Sequence, residues 1–379
     1  MKEPSERAHR ADVIVIGAGI AGASAAAELA PSCRVLLVEM EDQPGFHTTG
    51  RSAAVFAEAY GNGVVRALTR ASRRFLAEPP PAFSDQPLLL PRGWMFVARS
   101  DQVERLEELS REIGGSLRAM SSAEALERVP ILRREYLAGA LWDETAKDID
   151  VHALHQGYLR RFRAAGGEVL LGCRVLGLRR TAESWRLETS RGGLAAPLVV
   201  NAAGAWAEEI GRLAGAVTVG LVPMRRTVVL LDPPPGVDIA RWPLVIDAEE
   251  QFYFKPESGK LLVSPADETP SPACDVHPED LEVALAVDRI TRACALDVRS
   301  VFRKWAGLRS FVPDRTPVAG FDPRARGFFW VAGQGGYGIQ TAPALGRLAA
   351  ALVLGKAIPE EAAAEGVSAA DLSPARFDG

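Results

Sequence analysis

Near the N-terminus, two short apolar runs flank a helical pattern of small residues. Val13 to Ile16 predict a buried strand, and the apolar run that ends at Glu39 predicts a second one. The small residues that begin near Ile20 predict a helix between them. A strand, a tight turn, a helix and a strand in this order predict a βαβ unit at the start of a parallel sheet.

The middle of the chain changes to helical patterns. Residues 64 to 145 carry amphipathic repeats interrupted by prolines, and this change of composition predicts a second domain. Asp150 is placed to cap a helix that the glycines at 166 and 167 end. We expect a strand from Glu168 to Val175 to return to the first sheet.

The second half of the chain repeats the opening pattern twice. An apolar strand within residues 198 to 210 becomes a helix, and the strand Phe328 to Ala332 runs into a glycine-rich turn and a helix. Between them, long β-branched and aromatic runs from Pro223 predict a sheet, followed by a helix over 279–296. The pattern predicts an α/β fold: a Rossmann-like domain, discontinuous in sequence, and a domain built on a mixed, largely antiparallel sheet with helices.

Composition limits the possible partners. The chain has 379 residues, which favours two domains because single cores stop growing below this size. A net charge of −4 without a Lys/Arg block argues against a nucleic-acid partner, and no apolar run is long enough for a transmembrane segment. Four scattered cysteines predict free thiols in a reducing compartment, hence a cytoplasmic protein, either free or peripheral to the inner membrane.

The spacing of the first glycines predicts a dinucleotide site. The first glycine permits the sharp turn, the second lets a pyrophosphate approach the backbone, and the third lets helix and strand pack closely. The phosphates would lie at the helix N-terminus, and Glu39 would accept hydrogen bonds from the ribose hydroxyls. The predicted contacts are Gly17, Ala18, Gly19, Ile20, Ala21, Gly22, Glu39 and Met40.

A second glycine-rich segment lies near the other end of the chain. Its amides can face the pyrimidine end of a flavin, where the ring oxygen becomes negative on reduction. A nicotinamide enzyme would need only the first site, so the two segments together favour FAD over NAD. The predicted contacts are Gly333, Gly335, Gly336, Tyr337, Gly338, Ile339 and Gln340.

Metal binding is not expected. His152 and His155 are three residues apart on one predicted helix, but no third ligand suggests itself. Packing or a surface position explains both histidines.

The glycine fingerprint, the Gly-Arg-Ser-Ala-Ala run at residues 50 to 54 and the late glycine segment resemble the flavin-dependent D-amino-acid oxidase and dehydrogenase family. The similarity covers almost the whole chain and is greatest to the bacterial D-arginine dehydrogenase branch. It implies that the loop after Glu39 wraps the flavin and that Phe56 to Tyr60 face substrate. The further flavin contacts that it implies are His47, Thr48, Thr49, Arg51, Ser52, Ala53, Ala54, Val175, Ala203 and Gly204.

The resemblance also implies a substrate site. Arg226 and Arg309 match two arginines that bind the amino-acid carboxylate, and Tyr60 and Tyr253 match the tyrosines beside them. A guanidinium supplies a permanently charged, bidentate fork for a carboxylate taken out of water. The remaining matched positions are Gln340, near the reacting atoms, and Gly307 and Gly336, in the substrate pocket.

Three positions depart from the arginine-active branch. That branch has an acidic side chain and polar loop residues where this chain has Trp94, Val55 and Ala57. The guanidinium of a bound D-arginine would therefore have no acidic partner at these positions, and burying an unpaired charge is costly. We therefore expect neutral or apolar D-amino acids to be preferred over D-arginine.

The predicted activity is FAD-dependent oxidative deamination, which gives an imino acid that water converts to a 2-oxo acid and ammonia. O₂ or a quinone would be the electron acceptor, and the protein would be a monomer or small homo-oligomer. Glycine or N-methylamino-acid oxidation, 2-hydroxy-acid dehydrogenation and a flavin-binding subunit without catalysis remain alternatives. No cysteine lies beside Arg309 or in the loop after Glu39, so we expect non-covalent FAD, with a histidyl link through His47 left open.

The predicted domain boundaries follow from these assignments. The FAD-binding domain would comprise residues 1–55, 146–222 and 312–379. The substrate-binding domain would comprise residues 56–145 and 223–311.

Overall fold

A computed structural model describes residues 9–114 and 117–378. Residues 1–8 and Gly379 belong to the predicted FAD-binding segments but lie outside the described residues. The strands are β1 (His9–Arg10), β2 (Val13–Ile16), β3 (Val35–Val38), β4 (Val55–Phe56), β5 (Leu89–Pro91), β6 (Trp94–Ala98), β7 (Arg118–Met120), β8 (Gly139–Asp143), β9 (Lys147–Ile149), β10 (Glu168–Leu170), β11 (Val175–Arg180), β12 (Trp185–Thr189), β13 (Gly192–Ala196), β14 (Leu198–Asn201), β15 (Val222–Leu231), β16 (Leu244–Asp247), β17 (Tyr253–Glu257), β18 (Lys260–Ser264), β19 (Thr269–Pro270), β20 (Arg303–Phe311), β21 (Val318–Phe321) and β22 (Phe328–Ala332). The α-helices are α1 (Ile20–Leu29), α2 (Gly63–Ala77), α3 (Val103–Ile113), α4 (Ser122–Arg128), α5 (Val151–Ala164), α6 (Ala207–Ala214), α7 (Asp280–Ala293), α8 (Gly338–Val353), α9 (Glu360–Ala364) and α10 (Ala369–Leu372).

The central sheet has the strand order β10-β3-β2-β14-β22-β21. Neighbouring strands from β10 to β22 are parallel, and β21 closes the edge in the antiparallel sense. All four side chains of β2 and of β3 are buried, as expected for a parallel sheet covered on both faces. Each buried aliphatic side chain contributes about 1.5–3 kcal/mol. The predicted βαβ unit is confirmed, with α1 beginning at Ile20.

The mixed sheet has the order β19-β15-β18-β17-β16-β6-β8-β7, and β20 pairs with the other edge of β15. Its pairs are antiparallel except for β16 with β6. Helix α7 covers one face, where Ala286 and Ile290 join the core formed by Val229, Val263 and Phe254. The predicted mixed, largely antiparallel sheet is therefore confirmed, and on its other face Val228 and Tyr253 line a cavity.

The expected strand from Glu168 to Val175 is wrong in its length. Strand β10 joins the central sheet but ends at Leu170, and Val175 begins β11 in a separate sheet of order β1-β13-β12-β11. Gly172 has a left-handed backbone, with φ +59, and its N–H donates to the carbonyl of Glu41. This turn breaks the strand because its geometry is incompatible with a continuous β-ladder.

The other predicted helices are present, although α7 ends at Ala293 and not at residue 296, and the segment 64–145 contains strands β5 to β8 besides its helices. Asp150 caps α5 by accepting a hydrogen bond of 2.8 Å from the N–H of Ala153, and α7 occupies most of the segment 279–296. None of the described helices is both long and apolar enough to cross a membrane. The division into two domains stays a prediction.

Candidate active site

An open cavity lies between the central sheet and the face of the mixed sheet that α7 does not cover. It is lined by the turn after β2, the loop after β3, the turn after β14, strands β15 and β20, and the turn before α8. The predicted site residues that line it are Gly17, Gly19, Ile20, Ala21, Glu39, Met40, His47, Thr48, Thr49, Arg51, Ser52, Ala53, Val175, Ala203, Gly204, Arg226, Tyr253, Gly307, Arg309, Gly335, Gly336, Gly338 and Ile339.

The turn after β2 requires its glycines for steric reasons. Gly17 has φ +99, and a Cβ there would lie 2.4 Å from the carbonyl oxygen of Ala202. A Cβ on Gly22 would lie 1.8 Å from the carbonyl oxygen of Gly17. Gly19 faces the cavity, where a Cβ would meet only the Thr49 hydroxyl, at 3.2 Å. The third glycine therefore brings α1 against the turn, and the second leaves its backbone open to a ligand.

Polar groups converge on the N-terminus of α1. The N–H of Ile20 donates to the Thr49 hydroxyl over 3.0 Å, and the N–H of Ala18 donates to the Glu39 carboxylate over 2.8 Å. Burial raises the pKa of Glu39, although hydrogen bonds from the N–H groups of Glu41 and Ala18 oppose the shift. Hydroxyl donors from a ribose would stabilise this buried carboxylate further.

The loop after β3 is attached to β20. The hydroxyl of Thr48 donates to the carbonyl of Leu308 over 2.7 Å, and the Trp305 indole donates to the carbonyl of Arg51 over 3.1 Å. The guanidinium of Arg51 donates to the carbonyls of Ala306 and Val276. Arg51 thus lines the cavity, but its charged group fixes the loop to the mixed sheet.

Strand register places Arg226 and Arg309 on the same face. Arg226 lies opposite Gly307, and Arg309 lies opposite Met224, so the two arginines are diagonal neighbours on β15 and β20. Diagonal neighbours of this kind are about 7–8 Å apart at the backbone. Both arginines line the cavity, and the absent side chain at Gly307 leaves room beside them.

Arg309 is a half-buried cation. Its Nη1 donates to the Tyr60 hydroxyl over 3.3 Å, and a Cβ on Gly336 would lie 3.0 Å from the same nitrogen. Burial works against its charge, but interactions with Tyr60, Tyr253, Tyr337 and Glu268 hold the pKa of Arg309 above its ordinary value. Arg309 is therefore permanently charged.

Arg226 has a different environment. It is only 5% exposed, its Cζ lies 6.0 Å from the centre of the Tyr253 ring, and its Nη2 donates to Glu268 over 3.0 Å. Its Nε has no hydrogen-bond partner among the described atoms. Arg226 is thus already paired with a carboxylate but retains one unused donor.

An aromatic layer lies behind Arg309. The Tyr60 ring contacts Trp94 at 5.4 Å and Tyr337 at 4.8 Å between ring centres, and Trp94 stacks on Phe96. Ala57 donates its N–H to the side-chain oxygen of Gln340 over 3.1 Å. The predicted site residues that do not line the cavity itself are Ala18, Gly22, Ala54, Val55, Ala57, Tyr60, Trp94, Gly333, Tyr337 and Gln340.

Phe56 does not face the cavity. The resemblance implied a position towards substrate, but Phe56 is buried with Leu68, Phe75 and Ile339 in the core beneath the central sheet. Alternation along β4 explains the difference, because successive side chains of a strand point to opposite sides.

Some residues of the site were not predicted. Phe46, Trp206 and Gln334 line the cavity, and each lies within a segment that the sequence indicated as a site segment, although none was named as a contact. His155 was assigned to packing or the surface. It is buried, and its Nε2 lies 2.9 Å from the carbonyl oxygen of Ala18, beneath the glycine turn. No local pattern marks that contact, because it joins residues 137 positions apart.

The residues present fit FAD. One part of the cavity has the glycine turn, the N-terminus of α1 and Glu39, which suit an adenosine ribose and a pyrophosphate. Another part has Gly335, Gly336 and the N-terminus of α8. The Gln334 side-chain nitrogen there is a buried donor without a partner, which costs about 1–3 kcal/mol unless an oxygen acceptor binds. The carbonyl oxygens of a flavin pyrimidine ring are such acceptors.

Comparison with known proteins agrees with this fit. Residues 12–352 match the family model for FAD dependent oxidoreductases, DAO. Glycine oxidase from Geobacillus kaustophilus (strain HTA426) is 26% identical over 364 residues, which cover 91% of this chain and 93% of that protein. Human mitochondrial sarcosine dehydrogenase is 27% identical over 347 residues, which cover 84% of this chain but only 37% of that protein. This chain therefore spans little more than a third of that relative.

Solved structures show the same fold. The crystal structure of glycine oxidase from Geobacillus kaustophilus superposes with a TM-score of 0.79 at 26% identity, over 92% of this chain and 95% of that one. L-proline dehydrogenase from P. horikoshii superposes with a TM-score of 0.82 at 23% identity, over 97% of this chain and 98% of that one.

Proposed function

The chain belongs to the DAO family of FAD dependent oxidoreductases and has FAD as its cofactor, and from this premise we propose that it oxidises D-amino acids with neutral or apolar side chains. The product would be an imino acid that water converts to a 2-oxo acid and ammonia. The resemblance to the D-arginine dehydrogenase branch supports the stereochemistry, and the departures at Trp94, Val55 and Ala57 support the side-chain class.

One observation carries the amino-acid proposal. Arg309 is a half-buried cation in the cavity, and the side chain to which it donates a hydrogen bond is the Tyr60 hydroxyl. A partly desolvated cation without an acidic hydrogen-bond partner is costly, and a substrate carboxylate would compensate its charge. Arg226, on the same sheet face and also lining the cavity, would limit rotation of the bound carboxylate.

The roles of the protein groups follow from this geometry. FAD, when bound, accepts the hydride from the substrate Cα. Arg309 and Arg226 fix the carboxylate and so determine which face of Cα is presented. Burial raises the pKa of Tyr337 to about 12, so its phenol stays protonated at neutral pH and is not a base. The substrate amine would therefore release its own proton to solvent.

The aromatic layer supports an apolar side-chain site. Ala57 and Trp94 belong to one apolar cluster, against which Val55 and Tyr60 pack. These residues do not line the cavity, so they would act from behind its lining. A guanidinium brought towards them would have no acidic partner among them, whereas an apolar side chain would need none. The indole nitrogen of Trp94 also lacks a hydrogen-bond partner, and as a donor it would not attract a cation.

Glycine or an N-methylamino acid is the second candidate substrate class. The similarity to glycine oxidase and to sarcosine dehydrogenase supports it, because both names specify amino acids with little or no side chain. The carboxylate site would be shared by both candidates.

Anaerobic mixing of the purified holoprotein with single substrates tests these proposals. The panel contains D-Leu, D-Met, D-Phe, D-Arg and D-Lys, the L-enantiomers, glycine and sarcosine, and the loss of flavin absorbance is followed. We expect the neutral D-amino acids to give the fastest reduction, and subsequent addition of O₂ or a soluble quinone would identify the acceptor. Faster reduction by D-Arg would overturn the side-chain class, and faster reduction by glycine or sarcosine would favour the second candidate. Failure of every amino acid to bleach the flavin would overturn the amino-acid proposal.

A further inference from the structure

Glu268 forms an ion-pair bridge between two arginines at the edge of the cavity. It lies between β18 and β19 and accepts a hydrogen bond of 3.0 Å from Nη2 of Arg226. The guanidinium of Arg315 donates to both oxygens of the same carboxylate, over 2.9 to 3.1 Å. One acidic side chain therefore pairs with a cation that lines the cavity and with a second cation outside it.

The two arginine partners differ in their access to solvent. The side chain of Arg226 is 6% exposed, whereas that of Arg315 is 45% exposed and lies over the ring of Phe311. Salt bridges to an exposed arginine are weak, but a buried guanidinium depends on its partner. The pair with Arg226 is therefore the one that sets the charge inside the cavity.

The backbone holds Glu268 in place. The neighbouring Asp267 carboxylate accepts from the N–H of Thr227 over 2.7 Å and from its hydroxyl over 2.9 Å, which fixes the segment to β15. Ala266 and Arg315 both have left-handed backbones, with φ +54 and φ +56. Such conformations are costly outside glycine and persist where the surrounding structure imposes them. The bridge is thus a built feature of the site.

The carboxylate of Glu268 stays ionised. Burial alone would raise its pKa, but the hydrogen bonds from Arg315 and the charges of Arg226, Arg315 and Arg309 together hold it below its ordinary value. The arginines that line the cavity beside Gly307 are therefore unequal. Arg226 is paired with an internal anion that it shares with Arg315, and Arg309 donates to a tyrosine hydroxyl.

We propose that Glu268 is a specificity-determining residue that restricts the site to substrates with a single carboxylate. This inference rests on the proposed function. The first carboxylate occupies the space at Arg309 and Arg226, so a second carboxylate beside Arg226 would meet the fixed anion of Glu268. Two like charges at one cation repel each other, and this cost discriminates against dicarboxylic amino acids.

The matched ligands for a test are butyrate and succinate, which share a four-carbon skeleton and differ by one carboxylate. Their dissociation constants for the holoprotein are measured from the change in flavin absorbance. We expect the wild type to bind butyrate at least tenfold more tightly than succinate. In Glu268→Gln the preference should fall by about tenfold or reverse, a change of about 1.4 kcal/mol. In the same variant, kcat/KM for D-2-aminobutyrate divided by kcat/KM for D-aspartate should also be lower than in the wild type.

Glu135→Gln is the charge-matched control, because Glu135 is exposed at the surface and its removal changes the net charge equally. Its butyrate to succinate ratio should equal that of the wild type. Glu268→Ala also removes the carboxylate but introduces no amide. It repeats the test if Glu268→Gln folds poorly. An unchanged ratio in both Glu268 variants, or no binding of either ligand, overturns the inference. If D-2-aminobutyrate fails to reduce the flavin of the wild-type protein, the proposed function is contradicted. That outcome does not depend on the ratio of the dissociation constants for butyrate and succinate.

Discussion

Two adjacent arginines, Arg225 and Arg226, show how single residues acquire different roles in this protein. Arg226 points to the cavity face of β15, whereas Arg225 points to the opposite face and pairs with Glu279 and Glu282 of the α7 region. Both are almost fully buried, so burial alone does not distinguish them. Strand alternation decides which of the two is available to a ligand.

Replacing Arg309 should impair substrate binding without unfolding the protein. Loss of the group that pairs with a buried carboxylate costs about 2–5 kcal/mol, so kcat/KM of Arg309→Met should fall roughly thirtyfold to several thousandfold. The measurement is steady-state kinetics with the best D-amino acid, together with the melting temperature.

Arg225→Met is the matched comparison. It leaves the buried carboxylate of Glu282 without this partner, so the melting temperature should fall while kcat/KM of the folded fraction is retained. If Arg225→Met reduced kcat/KM as much as Arg309→Met did, the assignment of the two arginines to different faces would be wrong.

At the scale of elements, the turn between β2 and α1 is the most constrained part of the site. Its glycines are required by contacts with Ala202 and with each other, and not only by the ligand. Their spacing is a local property, so the sequence predicted the element and its bounds correctly. The end of β10 was mispredicted because an apolar run alone does not reveal the turn at Gly172.

Gly22→Ala should destabilise the protein before any ligand binds. The added Cβ would overlap the Gly17 carbonyl oxygen, and because that atom is backbone the helix must move. Overpacking of this kind costs about 3 kcal/mol or more. Urea denaturation of the FAD-free protein measures the change in the free energy of unfolding.

Gly63→Ala provides the control within another helix. No atom lies within 4 Å of a Cβ at Gly63, so the free energy of unfolding should change by less than about 0.5 kcal/mol. Equal stability of the Gly22 and Gly63 variants would contradict the steric explanation of the turn.

At the scale of the whole molecule, the cavity exists only because segments distant in sequence meet. The loop after β3 is bonded to β20, α5 places His155 under the first glycine turn, and the turn before α8 closes on Arg309. Ligand binding and global stability are therefore coupled, because the same contacts hold the two large sheets around the site.

The stability of the protein should decrease below about pH 6.5 through His155. Burial lowers the pKa of His155, and the charge of His152 lowers it further, although the hydrogen bond to Ala18 opposes this. Below the pKa of an unfolded histidine, about 6.5, the unfolded chain takes up a proton that the folded chain does not. This contribution to stability is present above that pH and is lost as the pH falls.

Urea denaturation at pH 7.5 and pH 5.5 measures this effect. The difference in the free energy of unfolding between the two pH values should be smaller in His155→Gln than in the wild type, by up to about 1.4 kcal/mol. The same pH dependence in His155→Gln and in the wild type would exclude His155 as its source.

The sequence by itself determined the βαβ unit, the two glycine-rich turns and the class of cofactor. These depend on residues that are neighbours along the chain, where hydrophobic period and glycine spacing express local geometry directly. Only the tertiary structure decided that the face of Arg226, and not that of Arg225, borders the cavity, that Glu268 pairs with one of two cavity arginines and that His155 supports the glycine turn. Those relations depend on strand register and on contacts between distant segments, which no local pattern encodes.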